Sequence, residues 1–253
     1  MRDGPATTDR DVKVAAIIPA YNEEPRIRRV LEAAAAASLV DEVLVVSDGS
    51  TDGTFRAARE IPGVRAVELE SNRGKAAAMC EGALRTDADV LVFLDADLHG
   101  LKPEHVDALA RPLVEGRADM CVGVFRGGRL LTDLAQKIAP VISGQRAIRR
   151  ELFLAIPDLP SLRMGVEIAL TRWARWAGIR VSTTVIGGVT HSMKEEKLGP
   201  VRGLASRIAM YADIGRVMMD GRKLREHARA LKTLREVCGA DEKPSAAAPL
   251  RRR

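Results

Sequence analysis

Asp95 and Asp97 close the apolar run Val90-Leu-Val-Phe-Leu94, and no other feature of the chain bears chemistry so directly. An apolar run of that length, bounded by polar residues, reads as a strand buried on both faces. Ligands of open α/β sheets collect beyond the carboxyl ends of the strands, so both carboxylates belong at the mouth of a site. Paired hard oxygens there suit Mg²⁺ or Mn²⁺, which bridges protein carboxylates to the phosphates of a substrate. Asp87-Ala-Asp89 repeats the tripeptide at the entrance of the same strand; placement, not spacing, therefore carries the argument. Asn72-Arg73-Gly74-Lys75 adds a glycine and a cation ahead of an apolar, alanine-rich segment. At a helix start that pair suits phosphate, through main-chain N–H groups and the positive end of the dipole.

These groups need elements to hold them. Strands are expected over 13–19, 41–47, 64–69, 90–94 and 119–125. Helices are expected over 24–37, with Pro25 in the first turn, and over 51–60, with Ser50 as N-cap and Asp52 in the first turn. Two more follow over 75–84 and 103–115. Strand and helix alternating at this spacing imply right-handed βαβ units and a mostly parallel α/β sheet flanked by helices. After Gly128 the pattern loosens into helices over 130–141 and 165–177 and a strand over 179–185. Two basic helices follow between 201 and 238, divided near Gly221. Leu204, Ile208, Tyr211 and Met218 lie on one face of the first.

Composition narrows the classes. The 253 residues are 46% apolar but only 3% aromatic, with 40 basic against 34 acidic side chains. The net charge of +6 favours polyanionic partners: phosphates, nucleic acid or an anionic membrane surface. Scarce aromatics and the lack of a nucleic-acid motif argue against a stacking platform for single strands. Cys80, Cys121 and Cys238 are odd in number and widely separated, which reads as free thiols in a reducing compartment. Residues 1–12 carry no apolar segment and no run reaches about 18 apolar residues. A cytoplasmic protein without a membrane span is expected.

The strand ends carry a further pattern: Pro19-Ala-Tyr21-Asn-Glu23-Glu24, then Ser47-Asp48-Gly-Ser-Thr-Asp52, then Asp95-Ala96-Asp97. In this order they resemble the family 2 glycosyltransferases with the GT-A fold, clearly over 13–125 and less sharply to about 219. The resemblance implies a nucleotide-sugar donor (a UDP- or GDP-sugar) whose nucleoside pocket is lined by Pro19, Ala20, Tyr21 and Glu23. It implies that Asp48 meets the base, with Arg73 and Lys75 at the diphosphate and Asp95 and Ala96 on the donor. Asp97 would serve the catalytic centre as a metal ligand beside Asp95. Tyr21 could pack on a base or ribose, and Glu23 could accept from ribose hydroxyls.

The second half is similar to the branch containing glucosyl-3-phosphoglycerate and mannosyl-3-phosphoglycerate synthases. Gly127 to Arg129, Leu131 to Leu134, Ser143 to Ala147, Gly165 to Ile168 and Gly187 to His191 all have counterparts there. In that branch the late histidine completes the metal shell, which implies His191; His99 reads as a loop residue and His105 as one on a helix face. Inverting members of the fold use a carboxylate near Glu167 as general base on the acceptor hydroxyl. In retaining members the same residue would hold sugar or acceptor hydroxyls. Val189 and Met193 stand where the phosphoglycerate enzymes have a basic residue and an asparagine, so that acceptor is not assigned.

The expected organisation is a flexible N-terminus over 1–12, a nucleotide-sugar-binding half over 13–128, an acceptor-side half of the same domain with C-terminal helices over 129–239, and a disordered basic tail over 240–253. Asp95-Ala-Asp97-Leu98 is also similar to polyprenyl-phosphate sugar transferases, and the basic residues between Arg202 and Arg235 could rest on an anionic leaflet. A sugar-phosphate nucleotidyltransferase would open with a Gly-rich loop instead of Tyr21-Asn-Glu-Glu24. A non-catalytic nucleotide binder would not need both Asp95 and Asp97. Sugar, base, acceptor and any assembly into a homo-oligomer are left open by the sequence.

Overall fold

The apolar run Val14–Ala20 forms β1, buried at every position, because it lies inside a seven-stranded sheet with the order β3-β2-β1-β4-β7-β6-β8. The computed structural model describes residues 11–126, 143–162, 165–191 and 222–237. The other strands of the sheet are β2 (Glu42–Ser47), β3 (Val64–Glu68), β4 (Val90–Phe93), β6 (Met120–Arg126), β7 (Arg146–Arg149) and β8 (Val181–Gly187). A separate antiparallel pair joins β5 (Leu98–His99) to β9 (Thr190–His191). Helices are α1 (Ile27–Ala35), α2 (Thr54–Arg59), α3 (Lys75–Leu84), α4 (Pro103–Val114), α5 (Arg150–Leu154), α6 (Val166–Ala177) and α7 (Arg222–Val237).

Successive side chains of a strand point to opposite faces, and β1 feeds two cores. Val14, Ala16 and Ile18 pack with Val30 and Leu31 of α1 and Val106 and Leu109 of α4. Ala15 and Ile17 pack on the other face with Met79 of α3 and Trp173 of α6. β1 runs parallel to β2 and β4, and chain order reverses at β1, with β2 and β3 on one side and β4 on the other. The crevice at such a reversal is where open α/β sheets bind ligands. The sheet takes β1 to β4 and β6 from the first half of the chain and β7 and β8 from the second.

Three expectations change. β7 is antiparallel to both β4 and β6; Arg-Ala-Ile-Arg is too short and too charged to read as a buried strand. α1 starts at Ile27, so Pro25 lies in the preceding turn, where the N–H groups of Arg26 and Ile27 both donate to the Glu23 carbonyl at 2.9 Å. α2 starts at Thr54, and Asp52 rather than Ser50 accepts from the Thr54 N–H, at 3.0 Å. Burial works against the Asp52 carboxylate, but hydrogen bonds from Thr54 and Glu24 hold it below the usual range. Cys80 and Cys121 are unbridged. The helix expected over 130–141, the first basic helix with its Leu204 to Met218 face, Cys238 and the tail lie outside the described residues, as do residues 1–10.

Gly82 sits in the last turn of α3, and helix propensity disfavours glycine within a helix. Its reason is proximity: a Cβ there would lie 2.5 Å from Cγ2 of Ile17 in β1. Gly82→Ala is expected to destabilise the fold by about 1–3 kcal/mol through overpacking, read as a lower urea midpoint. An unchanged midpoint would show that α3 does not press on β1 at this point.

Candidate active site

The turns that follow β1 and β2 are knitted to each other. Asn22 adopts a left-handed conformation with φ of 54°, which Asn tolerates better than most residues. Its N–H donates to Ser50 Oγ at 3.2 Å, and its side-chain oxygen accepts from the Thr51 N–H at 2.8 Å. The Glu23 N–H donates to Thr54 Oγ1 at 2.7 Å, and the Gly53 N–H donates to the Glu24 carboxylate at 3.0 Å. Glu23 is buried and pairs with Arg26 Nε at 2.7 Å. Tyr21, by contrast, is 47% exposed, a large ring left at the surface beside the end of β1. Pro19 and Ala20 complete β1, in register with Val46 and Ser47 of β2.

Asp48 is 3% exposed. Its two carboxylate oxygens accept the N–H groups of Arg73 and Gly74, each at 2.8 Å. Gly49, with φ of 65°, lets the chain close on that loop, since a Cβ would meet the Ser71 carbonyl carbon at 2.4 Å. A clamp on the loop before α3, and not an open base-contacting carboxylate, is thus what the geometry displays at Asp48.

The clamp delivers Lys75, the first residue of α3. Lys75 Nζ donates to Asp95 Oδ1 and to Glu167 Oε1, both at 2.5 Å. Burial by itself would lower the lysine pKa, but the charges of Asp95 and Glu167 override it and hold the ammonium above the ordinary lysine range. Asp95 also accepts from Gln145 Nε2, at 2.8 Å on its other oxygen. Gly144 leaves room for that carboxylate, because a Cβ would sit 2.4 Å from Asp95 Oδ2. Behind Gln145 lies Arg146, fully buried. Gly144, Gln145 and Arg146 were not distinguishable as site residues by sequence reasoning. Their one signal was the run Ser143 to Ala147, and no rule of spacing marks a buried polar residue before its neighbours are known.

The donor set fits a divalent cation. Asp95 and Asp97 offer hard oxygens, and each oxygen of an ionised carboxylate has two lone pairs, so a carboxylate can accept a hydrogen bond and still coordinate. The β5–β9 ladder pairs Leu98 with His191, placing the main chain of His191 beside the residue that follows Asp97. The His191 side chain is outside the described positions, and among the described residues no group of three His, Cys, Asp or Glu side chains forms a metal cluster. Two other histidines have partners of their own. His99 lies in β5, not in a loop, and its Nδ1 is 2.9 Å from Arg29. His105 Nδ1 accepts the Lys102 N–H at 3.2 Å, at the start of α4. At the far end of β4, Asp89 accepts the Lys13 N–H at 2.9 Å and Asp87 pairs with Lys13. The upstream Asp-Ala-Asp is therefore structural.

The sequence pattern described as glycosyl transferase family 2 matches residues 15–163. Glucosyl-3-phosphoglycerate synthase of Mycobacterium tuberculosis is 31% identical over 193 residues, covering 62% of this chain and 59% of that protein. The chain thus spans about three-fifths of the length of that curated relative. An undecaprenyl-phosphate 4-deoxy-4-formamido-L-arabinose transferase of Serratia proteamaculans is 36% identical over 126 residues, covering 46% of this chain and 38% of that one. Among solved structures, the Mycobacterium tuberculosis synthase in complex with Mn²⁺ and UDP-glucose superposes with a TM-score of 0.64 at 27% identity, covering 81% of this chain and 80% of that one.

Asp48→Asn replaces an acceptor that faces two N–H groups by an amide with one acceptor and its own N–H donors. It is expected to destabilise the protein by about 1–3 kcal/mol and to speed hydrogen exchange at the Arg73 and Gly74 amides. Parental exchange at both amides would remove the clamp.

Proposed function

The chain belongs to glycosyl transferase family 2, and on that premise we propose that it moves a sugar from a nucleotide diphosphate donor to an acceptor hydroxyl or phosphate. The observation that carries this reading is the convergence at Lys75, where the loop clamped by Asp48 at the end of β2 meets Asp95 beyond β4 and Glu167 of α6. Two strand ends, the start of α3 and the start of α6 thus share one charged centre. Tyr21, with Pro19 and Ala20 behind it, offers a face for the base or ribose, and Glu23 an acceptor for ribose hydroxyls. Arg73 and Lys75 bring positive charge to the diphosphate at the start of α3. Asp95, Asp97 and His191 would hold Mg²⁺ or Mn²⁺, with Ala96 against the donor, and the ion supplies charge neutralisation on the departing nucleoside diphosphate. Glu167, on the acceptor side of Lys75, either takes the acceptor proton or holds sugar and acceptor hydroxyls. The Mycobacterium tuberculosis complexes with UDP-glucose and Mn²⁺ and with UDP and Mg²⁺ support a UDP-sugar over a GDP-sugar. Val189 and Met193 leave the acceptor unassigned.

A second reading, a lipid-linked phosphate acceptor, is favoured by α7. Its Ala228 is buried in the core with Leu224 and Leu231 packed nearby, while Arg222, Arg225, Arg229 and Lys232 are exposed. Such a basic face suits an anionic leaflet. No helix among the described residues is long and apolar enough to cross a membrane, so the contact would be peripheral. On this reading the protein co-sediments with anionic vesicles at low salt and less at physiological salt; absence from the pellet at both salts removes it.

For the main reading, the parent is expected to release nucleoside diphosphate from a nucleotide sugar in a Mn²⁺-dependent manner, and Asp97→Ala to abolish that release. Turnover by Asp97→Ala at the parental rate would sink the metal role.

A further inference from the structure

Arg146 is a buried cation beside the charged centre. It lies on β7 opposite Phe93 of β4, two residues before Asp95, and it is 0% exposed. Its guanidinium donates to the Ser143 carbonyl at 2.5 Å and the Glu167 carbonyl at 3.1 Å, with Thr171 Oγ1 at 3.5 Å. Its Nε has no partner among the described residues, and no ion pair of Arg146 occurs among them. A buried charge without an ion pair opposes folding, and an apolar side chain of similar volume usually serves a core better. Burial pushes this guanidinium down to about 10, with the negative charges of Glu167 and Asp95 pulling it back up; it stays charged at neutral pH.

The nearby charges show what the residue does. Asp95 and Glu167 both grip the ammonium of Lys75, so two like charges are held close together, an arrangement that nearby positive charge eases. Arg146 brings such a charge, felt by both carboxylates, and its two carbonyl bonds tie the loop before β7, which also carries Gln145 against Asp95, to the first turn of α6.

We propose that Arg146 is the positioning residue of this centre: from inside the core it fixes the start of α6 so that Glu167 stays on Lys75, at a set distance from Asp95. The inference rests on the glycosyltransferase reading for its consequence, although not for its geometry. Arg146 touches neither donor nor acceptor in this role. A misplacement of about 1 Å at a reacting group can slow turnover about 100-fold, so the effect belongs in kcat and not in donor binding.

The test compares Arg146→Met, Arg146→Lys and the parent by crystallography, by thermal shift with UDP and Mn²⁺, and by kinetics of nucleotide release from UDP-glucose. In Arg146→Met the Lys75–Glu167 contact is expected to open beyond about 4 Å, with the UDP–Mn²⁺ thermal shift retained. Its kcat is expected to fall about 100-fold while the KM for UDP-glucose changes by less than about twofold. Arg146→Lys, which keeps the charge and one carbonyl bond, should hold the contact and recover part of kcat. An intact contact with parental kcat in Arg146→Met overturns the proposal, and so does loss of the UDP–Mn²⁺ shift in both variants, which would make the role purely structural. If Arg146→Met does not fold, the Lys variant decides alone: a lost contact there overturns the idea. If the parent releases no nucleotide from any donor, the reading of function fails, whereas the Lys75–Glu167 distance in the variants still decides the positioning role.

Discussion

One ammonium held between two carboxylates organises this protein's charged centre. Lys75 is separated in sequence by 20 residues from Asp95 and by 92 from Glu167, so the contact exists only once the sheet is complete. Each partner is brought by a different device. α3 carries Lys75 after a loop pinned to Asp48, β4 ends just before Asp95, and α6 starts just before Glu167. Partly buried charges interact far more strongly than exposed ones, and the same burial makes any unmatched charge costly. A second cation, Arg146, sits behind the centre in the core and feels both carboxylates.

That balance also suits the proposed chemistry. A centre with anchored cations and carboxylates at the carboxyl ends of parallel strands meets the needs of a donor whose phosphates carry negative charge and whose departure creates more. The dipole of α3 adds to the same field. The arrangement is carried by the sheet, where β1, β2 and β4 are buried. Tyr21 and the exposed residues of β8 face outward.

Much of this was legible in the chain before folding, for identifiable reasons. Strands buried on both faces admit only apolar residues, so β1, β2 and β4 announce themselves and end within a residue or so of their expected limits. α3 runs over the expected 75–84 because Gly74 starts it and an alanine-rich segment continues it. Parallel βαβ units leave strand ends on one edge, and the turns after β1 and β2 do bond to each other there. Less was legible where tertiary partners decide. β7 carries arginine at both ends and becomes a strand only because β4 and β6 flank it. The role of Asp48 as a loop clamp depends on two N–H groups 25 and 26 residues away. Ser50 looked like a cap by type, yet the Asn22 turn claims its hydroxyl. Gln145 and Arg146 are polar residues in a core, and nothing local distinguishes such residues from surface ones.

The most direct measurement is a thermal-shift titration of the parent protein with UDP-glucose, with and without Mn²⁺. A donor that binds the folded form stabilises it by about 2.7 kcal/mol at a hundredfold excess over Kd, so the account predicts a concentration-dependent rise in Tm that requires the metal. A flat Tm across UDP-glucose and other nucleotide sugars, with Mn²⁺ present throughout, would contradict it.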